Sequence, residues 1–215
     1  MAKRIFVTAT NTDVGKTYVT TLLMKAFTQK GYKVGVIKPV ETGVKEGIYP
    51  DGDLLLGLLK QLNPLAWSLE VADIVPLSYE LPAAPYIASG FAAVDYKKIN
   101  HAIMQQEAFC DILLIEGAGG LYVPLDEDVM MIDLIQKLDA AALLVTHCNL
   151  GCINDTLLSQ KALEAKGIVY ETLFNCREND VNFPIVSEPY LTNRGLRVLK
   201  SASDIDTLCD VLYNL

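Results

Sequence analysis

Val14, Gly15, Lys16 and Thr17 form the segment of this chain that is best suited to chemistry. The segment follows an apolar stretch at 4–7 that is typical of a strand, and it precedes an apolar helical pattern. This order of strand, glycine-bearing loop, Gly-Lys-Thr and helix is that of a phosphate-binding P-loop. The backbone N–H groups of such a loop lie at a helix N-terminus, where unpaired donors and the helix dipole favour bound anions. The lysine reaches the outer phosphates of a nucleotide, and the threonine hydroxyl ligates Mg²⁺.

The loop departs from the strict P-loop pattern at its first glycine. The pattern requires a glycine at the position of Thr10, and Ala9 stands next to it where a glycine is also expected. Gly-Lys-Thr alone is a motif of only three residues, and an ordinary strand-to-helix turn can also contain it. The prediction of a nucleotide site therefore depends on residues elsewhere in the chain.

Other polar and glycine-rich residues follow other strand-like stretches. Glu116 comes after the apolar stretch 111–115 and precedes four small residues at 117–120, so it is a candidate ligand for nucleotide-bound Mg²⁺. Lys38 follows the stretch 33–37, where a lysine can neutralise charge during phosphoryl transfer. Each has a plainer explanation, which is a flexible turn for Glu116 and its glycines and a surface position for Lys38.

Two further segments are open to a structural or a functional interpretation. Asp51 and Asp53 lie near the start of an apolar helix at 54–62, where aspartate usually caps, although Asp53 could instead complete a metal site. The segment 150–154 begins another helix, whose free N–H groups would form a second anion site, and an asparagine-capped turn explains it equally well. Cys152 is disfavoured as a nucleophile because no histidine–acid pair lies near it in the sequence.

The elements that must position these residues alternate between strand and helix patterns. This alternation predicts an α/β fold with a mostly parallel, doubly wound sheet and helices on both faces, in one domain spanning residues 1–215. Ligands of such sheets bind at the carboxyl ends of the strands, where the candidate residues fall. The proline-rich stretch 75–85 is expected to be a surface loop. The predicted strands are 5–7, 33–37, 111–115, 142–145, 168–174 and 196–199, and the predicted helices are 15–30, 54–62, 153–166 and 203–213.

Composition restricts the class of function. Hydrophobic residues make up 51% of the 215 positions and charged residues 20%, which is typical of a globular protein with a continuous core. The net charge of -8 argues against binding to nucleic acid or to an anionic membrane. No apolar run approaches the ~18 residues of a membrane span, and the strand pattern at the N-terminus is not that of a signal peptide. The five cysteines form no C-x-x-C pair, so we expect reduced thiols and a cytoplasmic protein.

The segments at 8–17, 38–43, 116–120 and 150–154 occur together in an order that resembles the dethiobiotin synthetase family. The second and fourth of these segments are not general P-loop features, and the resemblance extends over nearly the whole chain. It implies a P-loop NTPase-like fold and an ATP-dependent cyclo-ligase of biotin biosynthesis. The family converts 7,8-diaminopelargonic acid, CO₂ and Mg-ATP to dethiobiotin, ADP and phosphate, through a carbamate and a carbamic–phosphoric anhydride. The attacking carbamate and the phosphate are both anionic, so clamping by cations is the main catalytic requirement.

The resemblance also implies roles for individual residues around the nucleotide. Lys16 and Lys38 would be catalytic, with Lys16 on the outer phosphates and Lys38 between the carbamate and the γ-phosphate. Mg²⁺ would be held by Thr17, Asp53 and Glu116. The implied nucleotide-binding residues are Asp13, Val14, Gly15, Lys16, Thr17, Tyr18, Glu116, Gly117, Ala118, Gly119, Asn175, Cys176, Pro189, Tyr190 and Leu191.

The resemblance implies a substrate site that two subunits share. Thr12, Lys38 and Thr42 would lie near the diamine or its carbamate, and Asn175 would contact the base of the nucleotide. The family is homodimeric, and the substrate carboxylate would bind at a helix N-terminus of the second subunit. That second-subunit site maps to Gly151, Cys152 and Asn154.

The chain departs from the family pattern at several positions. Ala9 replaces the usual first glycine of the loop, and Thr42 stands where serine is common. Cys176 follows Asn175 where aspartate is usual, and the region 177–195 is short. The last two changes fall where the purine would bind, so the sequence leaves the choice of nucleotide open.

Two other classes of protein are open alternatives. The first is a related P-loop ATPase or amidoligase, such as a partitioning-type ATPase or a cobyrinate amidase. Partitioning-type ATPases carry an extra lysine near the position of Asn11, and amidotransferase relatives need an ammonia-producing domain for which no length remains. The second is a nucleotide-binding regulatory protein without turnover, although chemistry explains Lys38 and Thr42 better than binding alone.

Overall fold

A computed structural model describes residues 2–215, and a parallel six-stranded sheet forms its centre. The chain alternates between strands and helices along most of its length. The strands are β1 (Lys3–Ala9), β2 (Val34–Ile37), β3 (Val40–Thr42), β4 (Leu77–Tyr79), β5 (Ile112–Glu116), β6 (Ala141–Thr146), β7 (Tyr170–Phe174) and β8 (Leu199–Lys200). The helices are α1 (Lys16–Gln29), α2 (Pro50–Leu62), α3 (Val71–Ile74), α4 (Pro85–Ala88), α5 (Tyr96–Glu107), α6 (Met131–Lys137), α7 (Cys152–Ala165), α8 (Phe183–Val186), α9 (Glu188–Asn193) and α10 (Ile205–Asn214).

The central sheet is buried on both faces, which is why its strands are continuous apolar runs rather than alternating ones. Its strand order is β2-β5-β1-β6-β7-β8, and β1 lies between β5 and β6. Ile5 and Val7 pack with apolar residues of α1, α2 and α10, whereas Phe6 packs on the opposite face with residues of α5 and α6. The predicted doubly wound α/β fold is therefore confirmed.

A second, two-stranded sheet corrects the prediction for the stretch 75–85. Strands β3 and β4 pair in parallel, with Glu41 opposite Ser78, and Val75 and Leu77 are buried. The expected surface loop thus contains a short strand. Three residues are too few to show a period-two pattern, and the neighbouring prolines conceal the strand further.

The structure also corrects the expectation that every cysteine is a reduced thiol. Cys148 and Cys176 form a disulfide, and their Cα atoms are 5.0 Å apart. Strands β6 and β7 pair Thr146 with Phe174, so the residues two positions further along each strand emerge side by side. The sequence separation of 28 residues hides this proximity. The other three cysteines are free and buried, and burial raises the pKa values of Cys110 and Cys209 to about 12.

Within residues 2–215, none of the helices has the length and apolar character needed to span a bilayer.

Candidate functional site

The loop between β1 and α1 takes the left-handed conformation at two residues. Asp13 has a φ of 59° and Gly15 a φ of 95°, and Gly15 is the residue from which α1 starts. Ala9, in contrast, is a buried strand residue opposite Val145 and has no positive φ. An alanine at the usual glycine position therefore needs no special backbone conformation, since the bends fall later in the loop.

Gly15 is also required because Asn175 approaches the loop closely. Asn175 Nδ2 donates to the carbonyl of Val14 at 2.8 Å, and a Cβ on residue 15 would lie 2.2 Å from that nitrogen. Ser201 Oγ donates to Asn175 Oδ1 at 2.7 Å, which fixes the orientation of the amide. The end of β7 is thereby tied to the P-loop through one buried side chain.

A cluster of charged side chains lies beside the loop, at the carboxyl edge of the sheet. Lys38 Nζ donates to Glu116 Oε1 at 2.9 Å and also to the carboxylate of Asp51. Thr17 Oγ1 lies 2.7 Å from Glu116 Oε1 and 3.0 Å from Asp51 Oδ1. These four residues come from α1, from the turn after β2, from the start of α2 and from the end of β5. The predicted association of Lys38, Glu116 and the P-loop is therefore present in the geometry.

Electrostatics distinguishes the two lysines of the site. Burial favours the neutral form of Lys38, but the negative charges of Glu116 and Asp51 outweigh burial and raise its pKa. The same pairing outweighs burial at Asp51 and lowers the pKa of that carboxyl group. Burial lowers the pKa of Lys16, which forms no ion pair among residues 2–215. Lys16 is therefore the cation whose charge a bound phosphate would compensate.

The oxygen atoms of this cluster suit Mg²⁺. Glu116 Oε2 is buried and has no hydrogen-bond partner among residues 2–215, which is costly unless a ligand satisfies it. No group of three or more His, Cys, Asp or Glu side chains with metal-binding geometry occurs in the described part of the chain. A nucleotide-bound Mg²⁺ needs only one or two carboxylates, since phosphates and waters supply the other ligands. Thr17, Asp51 and Glu116 therefore fit the requirement.

Asp51 joins this cluster, whereas Asp53, which is the aspartate predicted for the metal site, does not. Asp53 Oδ2 accepts from the backbone N–H of Tyr49 at 2.9 Å and so caps the start of α2. Glu41 accepts from the N–H groups of Asp51 at 2.7 Å and Gly52 at 3.0 Å, which holds Asp51 toward Lys38. Helix α2 begins at Pro50, earlier than the apolar pattern indicates. A proline is favoured at the first helical position, and this signal could have located Asp51 within the first turn.

These residues surround a cavity of about 440 Å³. It is lined by Lys16 and Lys38, by the end of β3 and by the small residues that follow β5. Arg177 also lines it, although the sequence did not indicate a role for this residue. The predicted residues that line it are Thr12, Asp13, Gly15, Lys16, Thr17, Lys38, Thr42, Glu116, Gly117, Ala118 and Gly119.

Other predicted nucleotide-binding residues do not line this cavity. Tyr18 is more than half exposed on α1, and Cys176 is in the disulfide. The segment 189–191 lies in α9, where Leu191 is fully buried. The guanidinium carbon of Arg194 lies 5.7 Å from the centroid of the Tyr190 ring. Leu191 therefore has a packing role in the structure.

The predicted carboxylate site lies apart, at the N-terminus of α7. Gly151 has a φ of 102°, and the Cys152 N–H already donates to the carbonyl of Asn149 at 3.0 Å. Among residues 2–215, the N–H groups of Ile153 and Asn154 have no partner. Cys152 is fully buried, so an anion at this end of α7 would meet the donors of Ile153 and Asn154.

Comparison with known proteins identifies the family. A family model described as an AAA domain matches residues 3–212. The ATP-dependent dethiobiotin synthetase BioD of Sulfurovum sp. is 44% identical, covering 86% of this chain and 88% of the relative. The enzyme of that name from Wolinella succinogenes is 36% identical over 99% of both chains. The chain belongs to the ATP-dependent dethiobiotin synthetase family.

Membership in this family confirms the resemblance and the predicted class of activity, an ATP-dependent ligase of biotin biosynthesis. A partitioning-type ATPase or a regulatory protein is not favoured. The MinD cell division protein of Aquifex aeolicus matches with a TM-score of 0.52 at 17% identity, covering 97% of this chain and 86% of that one. At this identity the likeness shows a shared fold and nothing about activity.

The two aspartates of α2 give a matched pair of variants. Asp51→Asn should lower the rate of dethiobiotin formation by about 10- to 100-fold, because it removes a carboxylate from both Lys38 and the candidate Mg²⁺ site. Asp53→Asn should keep most of the rate and lower the free energy of unfolding by about 1 kcal/mol, because it weakens only the cap. Steady-state kinetics and urea unfolding measure the two effects. The reverse pattern, with the larger rate loss at Asp53, would instead support the predicted role of Asp53 in the metal site.

Proposed function

We propose that this chain closes the ureido ring of dethiobiotin from 7,8-diaminopelargonic acid and CO₂, using ATP to activate the carbamate. The observation that carries this proposal is the Lys38 ammonium, which is buried and held by Asp51 and Glu116 in the same cavity as Gly15, Lys16 and Thr17. A protein that only binds a nucleotide has little use for a second buried lysine beside the phosphate site. A reaction that brings two anions together requires one.

The proposed reaction has three steps, which are carbamate formation, phosphorylation of the carbamate and ring closure. One amine of the substrate adds to CO₂ and loses a proton, which gives a carbamate. A carbamate oxygen then attacks the γ-phosphorus of ATP, and ADP leaves as the anhydride forms. The second amine attacks the carbonyl carbon of the anhydride and loses a proton as the ring closes, and phosphate departs with the electron pair of the broken C–O bond.

The two lysines act on different parts of this sequence. Lys16, in the P-loop, would bind the outer phosphates and stabilise negative charge that accumulates on the leaving ADP. Lys38 would bridge the carbamate and the γ-phosphate, which reduces the repulsion between two anions and aligns them for attack. Thr12 and Thr42 line the same cavity, and their hydroxyl groups would donate to the carbamate or contact the diamine.

We assign the Mg²⁺ site to Thr17, Asp51 and Glu116. When bound, Mg²⁺ would neutralise charge on the β- and γ-phosphate oxygens. The unpaired Glu116 Oε2 and the oxygen-rich donor set support this assignment. Asp51 replaces Asp53 in the assignment because Asp53 is used as a helix cap.

The nucleotide assignment extends from the P-loop toward β7. We propose that the loop residues Asp13 to Thr17, the segment 116–119 and Asn175 contact ATP, with Asn175 near the base. Asn175 keeps one N–H and one lone pair after its bonds to Val14 and Ser201, so it can still pair with a base edge. Tyr18 and the segment 189–191 line neither the cavity that contains Lys16 and Lys38 nor the adjoining cavity that Val14 and Asn175 line, so the structure does not support the same assignment for them.

We also propose that two copies of this chain form a homodimer with a shared substrate site. The free N–H groups of Ile153 and Asn154 would bind the substrate carboxylate of the other subunit. Large apolar side chains near this helix support an interface, since Tyr122, Leu150 and Leu158 are each more than 60% exposed.

The proposed function has consequences for the domain organisation and the cellular compartment of the protein. We propose that residues 1–215 work as one domain, because α1, α2 and α10 share one core on one face of the sheet. We further propose that the protein works in the cytoplasm, where ATP is available. In that compartment the Cys148–Cys176 disulfide would be a reversible bond, because persistent disulfides are rare there.

The proposed reaction predicts phosphate release that depends on the diamine. Purified protein with Mg-ATP and bicarbonate should release phosphate and form dethiobiotin only when 7,8-diaminopelargonic acid is added. Lys16→Ala and Lys38→Ala should each lower the rate by about 100-fold or more, because each removes a cation that stabilises transferring charge. Coupled phosphate detection and mass spectrometry of the product measure both quantities.

The matched control for these variants is Lys98→Ala, an exposed lysine on α5 that should leave the rate unchanged. Circular dichroism checks that all three variants are folded. ATP binding or hydrolysis that is indifferent to the diamine would contradict the proposed reaction. Near-normal rates for both lysine variants would contradict only their assigned roles.

The shared site predicts that two inactive variants restore each other when they are mixed. Lys16→Ala removes the phosphate contact, and Asn154→Glu places a negative charge where the substrate carboxylate would bind. In a twofold dimer with shared sites, random mixing should return ~25% of wild-type activity, because half of the dimers are mixed and each has one intact site. Light scattering checks the mass of a dimer. A fully active monomer, or a mixture that stays inactive although subunits exchange, would contradict the shared site.

A further inference from the structure

We propose that Arg177 is a further nucleotide-binding residue, whose guanidinium adds a third cation to the phosphate site formed by the P-loop and Lys38. Arg177 lies after β7, far in sequence from the P-loop, and it is not among the residues that the family resemblance implies for nucleotide binding. In the structure it lines the same cavity as Lys16 and Lys38. The proposal rests on the proposed use of ATP and adds a residue to that site.

The guanidinium is anchored to the P-loop itself. Arg177 Nη2 donates to the carbonyl of Asp13 at 2.7 Å, at one of the two residues where the loop takes a positive φ. An arginine has five N–H donors in a planar fork, and this bond uses one of them. The remaining donors are available to a ligand above the loop.

Arg177 lacks a neutralising anion in the described part of the chain. Among residues 2–215, the guanidinium of Arg177 has no ion pair within 4.0 Å. The nearby carboxylate of Asp180 accepts instead from the backbone N–H of Arg177 at 2.8 Å, which closes the turn. An arginine that is fixed beside a phosphate-binding loop and lacks a carboxylate partner is suited to a ligand phosphate, which it can bind in a bidentate manner.

Most of the other charged side chains of the cavity already have partners, and the exception among the carboxylates in the described part of the chain is Asp13. Asp51 and Glu116 share Lys38, and Glu41 accepts from the first turn of α2. Among residues 2–215, the cations of this cavity that have no carboxylate partner are therefore Lys16 and Arg177. A ligand with several negative charges close together, such as a triphosphate, would satisfy both.

The backbone around Arg177 is held in place before any ligand binds. Asn175 bonds the carbonyl of Val14, and Arg177 bonds the carbonyl of Asp13, so two neighbouring side chains hold two successive peptide groups of the loop. Cys176, between them, is joined to Cys148. Arg177 is exposed, but its bond to the Asp13 carbonyl already orients the side chain, so less conformational entropy is lost when phosphate binds.

Arg177 could act by its charge on the nucleotide or only by supporting the loop, and two substitutions separate these roles. Arg177→Lys keeps the positive charge, whereas Arg177→Gln keeps a neutral donor for the Asp13 carbonyl. A charge contact predicts that Arg177→Gln weakens ATP binding by about 10- to 100-fold, the range for loss of a charged hydrogen bond. Arg177→Lys should stay within about threefold of wild type, because a point charge also binds phosphate.

The experiment is isothermal titration of Mg-ATP into the full chain at several salt concentrations. Arg197→Ala is the matched control, because Arg197 is an exposed arginine that pairs with Glu171. We expect unchanged binding for the control and a shallower salt dependence for Arg177→Gln than for wild type, since one cation fewer contacts phosphate. Melting temperatures check that the variants are folded.

Equal losses in Arg177→Lys and Arg177→Gln, with an unchanged salt dependence, would show that the arginine only supports the loop and would overturn the proposal. Binding of all variants within twofold of wild type would overturn it as well. These results are separable from the proposed function, because they measure binding without turnover. A wild-type chain that binds ATP but forms no ring would contradict ring formation and leave the assignment of Arg177 intact.

Discussion

The buried ammonium of Lys38, held between Glu116 and Asp51, is the interaction on which the site depends. Glu116 is fully buried at the end of β5, and a carboxylate there would be strongly unfavourable without a charged partner. Lys38 supplies that partner, and Asp51 places a second carboxylate against the same ammonium from α2. Because the pairing joins β2, α2 and β5, it also fixes the distance between the P-loop and the place where a substrate anion would lie.

The parallel sheet makes this arrangement possible. All six strands present their carboxyl ends at one edge, so residues that are distant in sequence converge there. The two faces of the sheet are covered by separate apolar clusters, which supply the stability that a cluster of buried charges does not. The same edge receives Asn175 and Arg177 from β7 and its loop, and both contact carbonyl groups of the P-loop. The core thus holds the scaffold rigid while polar contacts shape the loop.

Local patterns predict much of this structure. Gly15, Lys16 and Thr17 follow from the motif, and Lys38 and Glu116 follow from their positions after apolar strands. The sequence does not show which of Asp51 and Asp53 contacts Lys38, because this depends on where α2 begins and on the Glu41 carboxylate that holds its first turn. The Cys148–Cys176 bond depends on which strands are neighbours, and sequence alone does not give strand order. Contacts between distant segments, rather than the elements themselves, are what the sequence leaves undetermined.

The most direct measurement is a crystal structure of the chain with Mg²⁺, a non-hydrolysable ATP analogue and the diamine. We predict a triphosphate wrapped by the loop before α1, with Mg²⁺ bonded at about 2.1 Å to Thr17 Oγ1. At least one of the Asp51 and Glu116 carboxylates should reach the ion directly or through a water, with Lys38 Nζ between the γ-phosphate and the substrate. A metal bound by Asp53, or a triphosphate outside the cavity that contains Lys38, would contradict the account.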